Sequence, residues 1–257
     1  MRIIYFGNNW LGWQVLKELK ETGEEIAGLV VHPAERRKYG REIIETAALP
    51  PERVFDASRL REPETVAALA ALNPDIGVSV LLGYILRREL LDCFPSGCIN
   101  LHTSFLPWNR GAHPNVWSIV DRTPAGATLH FIDDGIDTGD IVAQTQVQVQ
   151  PTDTGQTLYE KLERAGLTLF AETWPAIRNG AITPETQDKT AGSVHRISDV
   201  AKLDEIDLDR NVSARELINI LRARTFPPYR GAYFLCDGRR IFLSLTLQEE
   251  NPEDAAP

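Results

Sequence analysis

Clustered positive charge is what this 257-residue sequence has least of: 27 Lys and Arg stand against 36 Asp and Glu, a formal net charge of -9. Holding nucleic acid requires Lys and Arg gathered against phosphates, and no basic run here supplies them, so nucleic acid is not expected as the principal ligand. Long apolar runs are missing too. The opening MRIIYF stops at Gly7, far short of a signal-peptide core or a membrane span, so a cytoplasmic protein with no membrane partner is expected. Cys93, Cys98 and Cys236 are the only cysteines, an odd count without a second pair at zinc-site spacing; buried free thiols are the plain expectation. His32, His102, His113, His130 and His195 form no H-E-x-x-H pair, and no metal is expected. The first turn, GNNWLG, lacks the third glycine of a dinucleotide fingerprint, and no GK[ST] follows, which removes the motif argument for NAD or ATP. No internal repeat or low-complexity block is present.

What is there is a core. Apolar side chains make up 43% of the residues, enough for one full-sized domain and a small appendage but not for two large domains. Residues 2–6 form a short β-branched run, and Leu11, Val15, Leu16 and Leu19 follow at helical spacing. Further apolar runs at 26–31, 75–80 and 98–102 are separated by stretches such as 62–72 and 85–92 that suit helices. Strands buried on both faces and alternating with helices predict an α/β fold with a mostly parallel sheet. Past Pro124 the texture changes: residues 125–132 and 140–149 read as adjacent strands joined by DDGIDTG. Residues 157–178 repeat their apolar positions helically, with Gly180 just beyond. A polar, loop-like stretch over 183–202 marks a boundary. Beyond it one amphipathic helix and a hairpin turning at Asp237-Gly238 make a small C-terminal unit. The expected division is a main domain over 1–190, a subdomain over 200–247 and an acidic tail over 248–257.

Chemistry-bearing residues concentrate in NLHTSFLPWNRGAHPNVW, Asn100 to Trp117. Asn100 and His102 are two positions apart on a strand and so share a face. Together an amide and an imidazole offer an oxyanion hydrogen bond and a proton-transfer group. Ser104 sits in no G-x-S-x-G elbow, and a turn-capping role is expected of it. The acidic loop holds Asp133, Asp134, Asp137 and Asp140 without the calcium-loop pattern. A carboxylate from it placed near His102 would hold the ring and favour its protonated form. Asn8, Asn9 and Trp10 follow the first strand, where open α/β sheets bind ligands; a tight turn into a helix is the alternative for this segment.

Taken together, Asn100-Leu101-His102, Ser104 to Pro107, Arg110-Gly111, Pro114, Trp117 and Asp137-Thr138-Gly139 resemble the signature of the folate-dependent formyltransferases over roughly residues 1–180. The resemblance implies a Rossmann-like core, with Asn100, His102 and Asp137 as the catalytic residues. It also implies 10-formyltetrahydrofolate as co-substrate, held between Leu81, Leu82, Gly83 and Tyr84 on one side and Asp133 and Asp134 on the other. The methionyl-tRNA formyltransferases resemble the core but carry a larger, basic C-terminal barrel. Glycinamide ribonucleotide formyltransferases are shorter. LPWNRGAHPNVW is most similar to the sugar-nucleotide N-formyltransferases, which make formamido sugars for surface polysaccharides (lipopolysaccharide among them) and often dimerise through a small C-terminal extension. That likeness implies a nucleotide-linked amino sugar as substrate, a possible homodimer, and Asn8, Asn9, Trp10, Arg110 and His113 as substrate contacts, with Arg110 meeting a diphosphate.

Overall fold

The computed structural model describes residues 1–250; the far part of the expected acidic tail, 251–257, lies outside the described residues. Strand β1, Arg2–Gly7, shows how the core is laid down. Its side chains alternate, Ile3 and Tyr5 entering one apolar cluster and Ile4 and Phe6 the other, because successive residues of a strand face opposite sides of the sheet. Helix α1, Asn9–Glu21, then buries Leu11, Val15, Leu16 and Leu19 completely. Each such burial is worth about 1.5–3 kcal/mol.

The chain continues through β2 (Glu25–Val31), α2 (Gly40–Ala47), β3 (Val54–Asp56), α3 (Pro63–Ala70), β4 (Ile76–Val80), the single turn α4 (Arg88–Leu91) and β5 (Cys98–His102). After these come the short β6 (Arg110–Gly111), α5 (Pro114–Val120), β7 (Ala125–Phe131) and β8 (Ile141–Val147). The sheet order is β3-β2-β1-β4-β5-β7-β8. Pairing is parallel from β3 to β5 and antiparallel across β5-β7-β8. Strand order reverses between β1 and β4, so the crevice at the carboxyl ends there is the place where such sheets take ligands. This is the mostly parallel α/β core that the alternation of runs predicts.

Helix α6, Gly155–Arg178, closes one face of the sheet. It starts at a reciprocal cap: Thr154 Oγ1 accepts from the Thr157 N–H at 3.2 Å and Thr157 Oγ1 from the Thr154 N–H at 2.9 Å, an arrangement worth about 1 kcal/mol. The segment read as a loop over 183–202 is more structured than its polarity suggests. It contributes the two-residue strand β9, Val194–His195, paired with β6, and most of α7, Ile197–Asp204. Only Val200 of α7 is buried, so no apolar stripe announces that helix. The C-terminal unit follows expectation, with α8 (Ala214–Ala223) and a hairpin of β10 (Tyr233–Cys236) and β11 (Arg239–Phe242). Val200 and Ala223 share a small core with Trp117, Leu158 and Leu162, which fastens α7 and α8 to α5 and α6.

All three cysteines are free; Cys98 is buried, but Cys93 is only half-buried and Cys236 is exposed, which corrects the expectation that all three thiols lie inside. No helix among the described residues is long and apolar enough to cross a membrane.

Candidate active site

At the carboxyl end of β5, Asn100 and His102 stand where antiparallel pairing sets Asn100 opposite His130 of β7. His130 is almost fully buried, and its Nδ1 lies 2.7 Å from the Phe131 carbonyl oxygen. That carbonyl can only accept, so Nδ1 carries the hydrogen and Nε2 accepts from Asn100 Nδ2 at 3.2 Å. The amide is thereby oriented with its nitrogen toward His130. The second hydrogen on that nitrogen remains available for a ligand oxygen.

Asp137 enters from the loop between β7 and β8. It holds a left-handed backbone conformation, φ 52°, a strained state for a residue with a Cβ and one that surrounding contacts must hold in place. Those contacts are specific. Gly111 N–H donates to Asp137 Oδ2 at 2.7 Å, Gln187 Nε2 donates to the Asp137 carbonyl at 3.0 Å, and a Cβ at Gly139 would collide with the Phe131 carbonyl. Asp137 Oδ2 lies 3.6 Å from His102 Nε2, and Oδ1 lies 3.6 Å from His130 Nε2. Burial alone would raise this carboxyl, but the neighbouring His102 and the Gly111 N–H outweigh it and hold it below the usual carboxylate range. Asp137 is therefore ionised across the whole physiological range. His102 Nε2 also faces the Asn109 carbonyl oxygen at 3.3 Å. A hydrogen on Nε2 suits both acceptors, and Nδ1 is then the lone-pair nitrogen of the neutral ring.

These residues line a cavity of about 1740 Å³. Sites for one small molecule usually measure roughly 300–1,000 Å³, so this one has room for two ligands side by side. One part is bounded by Leu81, Leu82, Gly83 and Tyr84 together with Asp133 and Ile136. The turn there uses two left-handed residues, Leu81 and Gly83. His32 at the end of β2 pins it, with Nε2 on the Leu82 carbonyl and Tyr84 packed edge-on to its ring. The sequence gives no sign of His32 in this part. Asp133 accepts from Thr138 Oγ1 at 2.6 Å and from the Gly135 N–H at 3.0 Å, so it shapes the loop as well as lining the cavity. Asp134 is exposed and does not line it.

Among the expected substrate contacts, Asn9, Trp10 and His113 line the cavity. Asn8 is buried outside it, its Oδ1 accepting from the Lys38 N–H at 3.0 Å. Arg110 requires a correction. Its side chain is buried, and its guanidinium donates to Gln187 Oε1 and to the Ala191 and Asp188 carbonyls at 3.0–3.3 Å. All three guanidinium nitrogens bond to the strap that carries β9, and Arg110 does not line the cavity. Ser104 is buried with its Oγ unpartnered among the described residues, and it caps nothing there.

An oriented amide N–H, an ionised carboxylate and an imidazole side by side suit one kind of chemistry. They can hold an oxygen on which negative charge develops and move a proton next to it. Comparison with known proteins agrees with that geometry. Residues 1–173 match the family model described as formyl transferase. The chain belongs to the formyl transferase family. Residues 199–249 of this family member match the model described as the N-formyltransferase dimerization C-terminal domain. Methionyl-tRNA formyltransferase of Bacillus subtilis is 31% identical over 263 residues, covering 100% of this chain and 81% of that protein. In structure, the chain is similar to a 4-N formyltransferase from Francisella tularensis, with TM-score 0.84, 27% identity, and 97% and 98% of the two chains covered. It is also similar to the formyltransferase PseJ from Anoxybacillus kamchatkensis, solved with UDP-4,6-dideoxy-4-formamido-L-AltNAc and tetrahydrofolate. There the TM-score is 0.57 and the identity 31%, over 79% and 89% of the two chains. Among the described residues no group of three His, Cys, Asp or Glu is placed to hold a metal ion.

Proposed function

We propose that the chain transfers a formyl group from 10-formyltetrahydrofolate to the amine of a sugar linked to a nucleoside diphosphate. The observation that carries this reading is the meeting of Asn100, His102 and Asp137 inside a cavity large enough for two ligands. Asn100 Nδ2 donates to the formyl oxygen as the amine attacks the formyl carbon, while the lone-pair Nδ1 of His102 faces the amine proton. A single donor of this kind is worth about 2.7–4 kcal/mol of barrier. Asp137 holds His102 in the orientation that lets it accept the amine proton and pass it toward the departing folate nitrogen. The apolar turn Leu81–Tyr84 and the acidic loop fit a flat, partly apolar co-substrate with polar edges, and they lie beside the catalytic residues.

The likeness to a 4-N formyltransferase and to a formyltransferase solved with a UDP-linked formamido sugar supports a sugar-nucleotide substrate, as does the small C-terminal unit of an acidic protein. Exposed Leu208, Leu235, Ile241 and Phe242 on that unit, which matches a dimerization domain, support a homodimer. Methionyl-tRNA is the second reading, favoured by curated relatives of that name at about the same identity. A net charge of -9 opposes it, since a polyanion of that size needs a basic face.

The test is to incubate purified protein with 10-formyltetrahydrofolate and a panel of nucleotide-linked 3-amino and 4-amino sugars, with methionyl-tRNA alongside. Mass detection of one formamido sugar nucleotide is the expected result. Formylated tRNA alone would overturn the substrate, and formate release without an acceptor would overturn the transfer.

A further inference from the structure

With Arg110 withdrawn into the strap, the cavity needs another origin for positive charge, and it has one. Lys38, His113, Arg196, Arg224 and Arg230 all line it. Lys38 Nζ donates to the Tyr229 hydroxyl at 2.7 Å and lies over that ring at 5.2 Å. His113 lies close enough to Arg224 and Lys38 that, after burial, Arg224 and then Lys38 help push its pKa down, with Asp204 opposing them. Arg224 is paired with Asp204, whereas Lys38, Arg196 and Arg230 have no carboxylate within ion-pair distance among the described residues. Glu163 in the cavity wall senses the Lys38 charge, and burial raises the pKa of its carboxyl above the usual value. In a chain with more acids than bases, leaving several cations unpaired in one cavity costs self-repulsion, which a bound anion would relieve.

We propose that the wall formed by the cations Lys38, Arg196 and Arg224, with the imidazole of His113 among them as a hydrogen-bonding group, is the subsite for the diphosphate of the amine substrate, which makes the C-terminal unit part of the binding cavity. This rests on the sugar-nucleotide reading above. Its geometry is consistent with that reading: His113 is two residues from Gly111, whose N–H holds Asp137. Two residues of chain reach at most about 7 Å, so an anion at His113 lies within a sugar ring's reach of the catalytic residues. The wall draws on four distant stretches: Lys38 before α2, His113 at the start of α5, Arg196 at the start of α7, and Arg224 at the end of α8. It lies at the mouth of the cavity, where Lys38, His113 and Arg196 are exposed, and its few cations suit one small diphosphate and not the backbone of a long polyanion.

The experiment is calorimetric titration of the full-length protein with UDP, dTDP and inorganic pyrophosphate, with uridine as the phosphate-free control. Wild type and a Lys38→Ala/Arg196→Ala double variant are compared after their melting temperatures have been matched. The expected result is wild-type binding of a nucleoside diphosphate that weakens with added salt. In the double variant that affinity falls about tenfold to a hundredfold, as for loss of charge-assisted contacts, while tetrahydrofolate affinity stays unchanged. Equal diphosphate affinity in the two proteins, or no diphosphate binding by wild type, would overturn the subsite. The two readings separate cleanly. Sugar-nucleotide formylation with diphosphate affinity untouched in the double variant removes the subsite and leaves the reaction; lost diphosphate affinity with no formylation of any sugar nucleotide does the reverse.

Discussion

The two ends of the cavity are built on opposite plans. Around β5 each polar group is tied to another: Asn100 to His130, His130 to Phe131, and Asp137 to Gly111 and His102. Toward α7 and α8, long cationic side chains stand with few partners. The first plan fixes directions in advance, which matters where charge develops and moves within one step. The second leaves charge unspent, which matters where a ligand brings its own charge and the site must receive it. Substitutions at the two ends should therefore fail in different ways.

The largest effects belong to the tied end. His102→Ala and Asp137→Ala should each lower kcat about 100-fold or more while tetrahydrofolate affinity is retained. Steady-state kinetics with calorimetry checks both, and unchanged turnover in either variant removes that residue from the chemistry. Arg110→Ala belongs to neither end. It removes a buried cation from Gln187 and two carbonyls and should cost on the order of 3 kcal/mol of stability. The measurement is a melting temperature beside a KM; a raised KM with no loss of stability would return Arg110 to the substrate. Leu235 is 48% exposed on the hairpin, and Leu235→Glu should shift the chain from dimer to monomer in light scattering. A wild type that is already monomeric ends that expectation.

The smallest effect tests the wall beside Trp10. The pKa of Glu163 is raised in the fold, first by burial. A raised carboxyl favours folding in its protonated form, so its contribution is full below its unfolded value near pH 4.3 and is lost as pH rises through the folded value. Glu163→Gln should leave the melting temperature unchanged near pH 4 and raise it by a degree or two near pH 8. The same small change at both pH values would show that burial of this carboxyl has no energetic consequence.

The alternation of Ile3, Ile4, Tyr5 and Phe6 and the helical spacing of Leu11 to Leu19 made the sheet and its first helix readable, because local periods of two and 3.6 residues survive in the sequence. Asn100, His102 and Asp137 could be named from two short motifs, Asn100-Leu101-His102 and Asp137-Thr138-Gly139, and the structure brings the three to one cavity. The fourth member of that cluster, His130, could not, although a lone histidine in an apolar strand leading into the acidic loop was a usable signal. What joins it to Asn100 is the register of β5 on β7, and neither segment carries that register alone. Arg110 was misread for a similar reason. It stands in the motif that carries the resemblance, but its partner Gln187 is 77 residues away. The cationic wall is drawn from segments that only the packing of α7 and α8 on α5 and α6 brings to one cavity.

Asn100 gives the most direct test of the tied end as the place of reaction, since its amide does not titrate and acts only by hydrogen bonding. Kinetics of Asn100→Ala with 10-formyltetrahydrofolate and the preferred amino-sugar nucleotide should show kcat lower by about 100-fold to 1,000-fold, with both KM values within about threefold of wild type. Wild-type kcat in that variant would contradict the account, because the oxygen of the reacting formyl group would then be held somewhere else.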